Sequence, residues 1–66
     1  MSDEKTTRLS RIGAVIENAR RAINGKNPVR AREILRPIYQ DTEDIAGTVE
    51  WAEISLTMAE AFLAEL

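Results

Sequence analysis

Ile45, Val49, Ala52, Leu56, Ala59, Leu63 and Leu66 follow one another at spacings of 4, 3, 4, 3, 4 and 3. That is an unbroken heptad seam, the pattern of a helix packing along its length against another helix. A second apolar stripe, Trp51, Ile54, Met58 and Phe62, falls roughly on the opposite side of the same helix at ~100° per residue. Glu50, Glu53, Thr57 and Glu60 lie on one flank between the stripes, and Thr48 and Ser55 mark the other. A helix of this kind needs packing on two sides.

The rest of the chain reads as two further helices. Leu9, Ile12, Ile16, Ala19 and Ile23 recur at spacings of 3, 4, 3 and 4, which predicts a first helix over about 7–24, capped by Thr6 or Thr7. Gly13 beside this seam would let a neighbour approach closely. Asn24-Gly25 is a stop signal, with the glycine expected to take the left-handed conformation. Asn27-Pro28 restarts the chain as N-cap and first helical residue. Ala31, Ile34, Leu35 and Ile38 then share one face of a second helix, which Pro37 should end by about Gln40. Asp41 or Thr42 is expected to cap a third and longest helix over about 42–65, with Gly47 as an early residue of it. β-Branched residues are scattered, with no sustained alternation that would signal a strand.

These elements predict an all-α fold: one small helical domain over 1–66, a helical hairpin plus a longer C-terminal helix, with a flexible stretch at 1–6. With 66 residues, such a domain buries only about 60% of the surface that its unfolded chain exposes. Small domains usually gain stability from disulfides, metals or association. The chain has no Cys and no His, so disulfides are impossible and a zinc site is not expected. Helices 1 and 2 can cover one stripe of helix 3, leaving Trp51, Ile54, Met58 and Phe62 as the expected interface. Exposing them forgoes ~1.5–3 kcal/mol per side chain. A two-fold dimer recovers that twice, against an association cost of ~4–15 kcal/mol. A dimeric helical bundle is the expected form.

Charge is divided between the halves. Residues 1–36 hold nine basic and four acidic residues, a net +5, whereas residues 37–66 hold seven acidic and no basic ones, a net −7. Arg20, Arg21, Lys26, Arg30 and Arg32 cluster around the turn between helices 1 and 2, a possible site for an anion or an acidic protein partner. The turn fits a helix-turn-helix poorly. With Gly25 as the turn glycine, Arg21, Asn24 and Lys26 occupy positions that should be small or apolar.

No catalytic site, cofactor or metal site is expected. No serine or threonine has a suitably spaced base, and there is no glycine-rich phosphate loop. Glu50 and Glu53, at i,i+3, share a helical face and are preceded by Glu43 and Asp44, but a cation there would need oxygens from a second chain. Met1 to Arg8 is polar and charged with no apolar run behind it, so no signal peptide is expected. The longest apolar run, Ala61 to Ala64, is far short of the ~20 residues that span a bilayer. The expectation is therefore a cytoplasmic, non-enzymatic interaction module, a homodimeric adaptor, regulator or inhibitor that needs no membrane. A nucleic-acid-binding dimer using the basic turn is the second reading.

Overall fold

In the computed structural model, which describes residues 3–66, the chain forms three α-helices and one short 3-10 turn. They are α1 (Asp3–Asn24), α2 (Pro28–Tyr39), the turn Glu43–Ile45 and α3 (Val49–Glu65). No strand occurs among the described residues, and no helix is long and apolar enough to cross a membrane. The flexible stretch expected at 1–6 is corrected in part: residues 1 and 2 lie outside the described residues, but α1 already begins at Asp3.

Ion pairs between the helices fix their directions. Arg8 of α1 meets Asp44 just before α3, and Arg20 meets Glu53 at 3.8 Å, so α1 and α3 run together. Arg32 near the start of α2 meets Glu65 at the end of α3, so α2 runs against both. The result is an up-down-up rod of 42 × 17 × 17 Å.

The core is short. Ile12, Ile16 and Ala19 of α1, Ala31 and Leu35 of α2, Ile45 of the turn, and Ile54 and Ala61 of α3 are all at most 2% exposed. Leu9, Val15, Ala22, Ile23, Ile34, Ile38 and Met58 pack around them, half-buried. Thr57 is the one buried polar side chain among the described residues, and its hydroxyl has no hydrogen-bond partner there.

Three local features differ from the sequence expectation, the first two for a backbone reason. First, α1 closes with Asn27 N–H donating to Ala22 O (2.8 Å) and Lys26 N–H to Ile23 O (3.0 Å), the paired bonds of a Schellman motif. That motif puts the left-handed residue at Lys26, with φ 65°, one position beyond Gly25. Second, helix 3 does not start at Thr42. Ile45 turns inward to plug the end of the core, and Gly47 takes φ 89°. Thr48 then caps α3, its Oγ1 accepting from the Trp51 N–H (3.1 Å) and donating to Ile45 O (2.7 Å). Third, Gly13 is no packing gap, because a Cβ built there meets nothing within 4 Å.

The α1–α2 connection follows the residues more directly. Asn27 caps α2 through its side-chain oxygen, which accepts from the Arg30 N–H at 3.3 Å. Pro28 fills the first helical position, where no intrahelical donor is needed. Downstream, α2 ends two residues past Pro37, with the Gln40 N–H satisfied by Arg36 O.

Candidate functional site

Which side of α3 faces inward decides what the chain can offer to a partner. Ile54, Thr57 and Ala61 are its buried residues, spaced 3 and 4. At ~100° per residue the direction opposite Ile54 runs through Ala52, Leu56, Ala59 and Leu63. That direction is solvent. Val49 is 69% exposed, Leu56 55%, Leu63 67% and Leu66 fully, with Ala52 and Ala59 exposed between them. From Val49 onward, the heptad seam is the outward face of the molecule.

Assigning this seam to the chain's own core is therefore corrected, and the expected interface of Trp51, Ile54, Met58 and Phe62 is corrected with it. Ile54 is 1% exposed and belongs to the core, and Met58 is half-buried against it. Trp51 (40%) and Phe62 (54%) remain exposed on the α2 edge of α3. There the Arg32 guanidinium lies 5.0 Å from the centre of the Phe62 ring, a cation–π contact.

From Trp51 and Phe62 to Leu56 and Val49, roughly 160° of the circumference of α3 holds no charged residue. Ser55 is its one polar member apart from the cap Thr48. On the α1 edge the face is bounded by the half-exposed Glu53 and Glu60. Ala52 and Ala59 lower its relief, and nothing along it breaks the helix.

The basic cluster is only partly available. Arg32 is held by Glu65: its Nε pairs with one carboxylate oxygen and its Nη2 donates to the other at 2.7 Å. That hydrogen-bonded carboxylate raises the guanidinium further above its ordinary pKa. Arg20 is 3.8 Å from Glu53, and Arg30 is 3.8 Å from Glu33 on its own helix. Arg21 and Lys26 are exposed and have no ion pair among the described residues. Of the five, Arg32 is thus engaged within the fold, joined to Glu65 across the α2–α3 boundary. Arg20 is partly neutralised.

Two of the four carboxylates considered for a cation, Asp44 and Glu53, are paired in the same way. Arg8 Nε meets Asp44, while its Nη2 donates to the Asp41 carbonyl at 2.6 Å, and Glu53 faces Arg20. Among the described residues no group of three acidic, His or Cys side chains is placed to hold a metal ion. A cleft of about 510 Å³ beside α1 is lined by Glu4, Thr7, Arg8, Arg11, Ile12, Val15 and Ile38. Its lining combines apolar walls with one acid, one threonine and two arginines.

Comparison with protein-family models, with curated proteins and with solved structures gave no match.

Proposed function

We propose that this chain is a non-enzymatic protein–protein interaction module, a homodimeric helical adaptor, regulator or inhibitor, whose contact surface is the outward face of α3. The observation that carries the reading is the charge-free apolar arc opposite Ile54. Its exposed surface, from Val49, Trp51, Leu56, Phe62, Leu63 and Leu66, is on the order of 700 Å², close to the ~800 Å² that each partner contributes to a standard stable interface. Monomers seldom leave so large a patch in water without a use for it. A second copy is the simplest occupant, because one patch per chain then covers another. The charged, cysteine-free composition suits a reducing compartment, and a cytoplasmic setting is part of the proposal.

Light scattering over a concentration series tests the reading, using wild type and Leu63→Glu. Wild type should reach twice the mass of the chain. Leu63→Glu should stay at one chain with unchanged helical circular dichroism, since residue 63 lies outside the core. Equal masses for the two proteins would discard the surface.

Binding of a polyanion at the α1–α2 turn is the alternative. Exposed Arg21 and Lys26 favour it, whereas the ion pairs of Arg20 and Arg32 and the acidic flank of α3 oppose it. It predicts affinity for RNA or DNA that falls steeply with salt and drops in Arg21→Ala.

A further inference from the structure

We infer that two copies pair through α3 in antiparallel orientation, about a two-fold axis perpendicular to the helix between Leu56 and Ala59. This rests on the homodimer reading above and goes on to give it a register.

The seam reads Val49, Ala52, Leu56, Ala59, Leu63, Leu66, at spacings of 3, 4, 3, 4 and 3, the same in either direction. A palindromic spacing can meet a reversed copy of itself layer by layer. In that arrangement Leu56 faces the second copy's residue 59, Ala52 faces residue 63, and Val49 faces residue 66. Every alanine then lies opposite a leucine. Large and small side chains alternate across the interface, so the two helices can interdigitate at a uniform separation.

The parallel, in-register alternative puts each residue opposite its own copy. Leucine meets leucine at 56 and 63, holding the helices apart, while alanine meets alanine at 52 and 59, leaving two under-filled layers. A close-packed interface cannot follow both spacings at once. Charge decides less. Antiparallel pairing brings Glu53 near residue Glu60 of the second copy, but Arg20 already stands 3.8 Å from Glu53 on that edge. Opposed helix dipoles add to the same preference.

The chain has no native cysteine, so disulfide trapping reads the register cleanly. Residues 52 and 63 are eleven apart on one helix, roughly 16 Å, too far for a bond within one chain. Ala52→Cys, Leu63→Cys and their equimolar mixture are oxidised with a glutathione couple and resolved on non-reducing gels. Both positions are exposed, so the variants keep the fold. The expected result is a covalent dimer from the mixture at several times the yield of either variant alone.

Efficient trapping of Ala52→Cys by itself would make the pairing parallel and overturn the inference while keeping the dimer. Trapping in no sample, with dimer mass in light scattering, would place the interface elsewhere. Monomer mass throughout would remove the homodimer reading itself.

Discussion

Ile54 and Leu56 are two residues apart on α3 and face opposite ways, Ile54 sealed in the core at 1% exposure and Leu56 in solvent at 55%. A two-residue step turns a helix by ~200°, so one aliphatic position serves the fold and the next is left for something outside it.

The two should respond differently to truncation. Ile54→Ala is expected to cost about 2–5 kcal/mol of folding free energy through lost burial and a residual cavity. Leu56→Ala should change monomer stability by no more than ~0.5 kcal/mol, as surface substitutions do. Urea melts at low protein concentration measure both. Equal costs at the two positions would mean that α3 is rotated from the orientation described above.

Gly13 sits mid-helix in α1 with open space where a side chain would be. Gly13→Ala should therefore raise stability by about 0.5–1 kcal/mol, since alanine loses less backbone entropy on entering a helix. A loss of stability in a thermal melt would reveal a close neighbour at that position.

Glycine is the favoured residue at both helix boundaries, so introducing it at one and removing it at the other should have opposite effects. Lys26 holds φ 65° without being glycine, so Lys26→Gly should stabilise by about 1 kcal/mol. Gly47 holds φ 89°, so Gly47→Ala should destabilise by about 1–2 kcal/mol and loosen the cap that Thr48 provides. Chemical denaturation of the pair checks both signs.

Thr57 buries a hydroxyl without a partner among the described residues. Valine has nearly the same shape and no polar atom, so Thr57→Val is expected to raise stability by about 1–3 kcal/mol, the usual penalty for an unsatisfied buried group. A melting temperature that falls in this variant would show that the hydroxyl is satisfied in solution.

Much of the architecture was legible in the residues, because helical period survives without tertiary context. The Leu9–Ile23 stripe names the buried face of α1, and Asn27-Pro28 carries its own start signal. The orientation of α3 was not legible, for two physical reasons. A helix apolar on opposite sides has no preferred inward direction by pattern alone. Glu50 and Glu65 also flank the buried Ile54–Ala61 line, which argues against that line facing in. The structure resolves this by placing both carboxylates at the helix ends, half-exposed Glu50 in the first turn and Glu65 on Arg32.

The break before α3 had a signal too. Gly47-Thr48 is a turn residue followed by a good cap, but the acidic run at Glu43-Asp44 imitates a helix start six residues earlier. Lys26 had no such signal, since Gly25 is the better left-handed residue by type. Its position is set by where the carbonyls of Ala22 and Ile23 need donors.

Sedimentation equilibrium of the wild-type chain from sub-micromolar to high-micromolar concentration, beside Leu56→Glu, weighs the outward face of α3 as a contact surface. Wild type should pass from one chain to two as concentration rises, and Leu56→Glu should remain a folded single chain throughout. A wild type that stays at one chain's mass across the range, or a Leu56→Glu protein that dimerises as well as wild type, would contradict it.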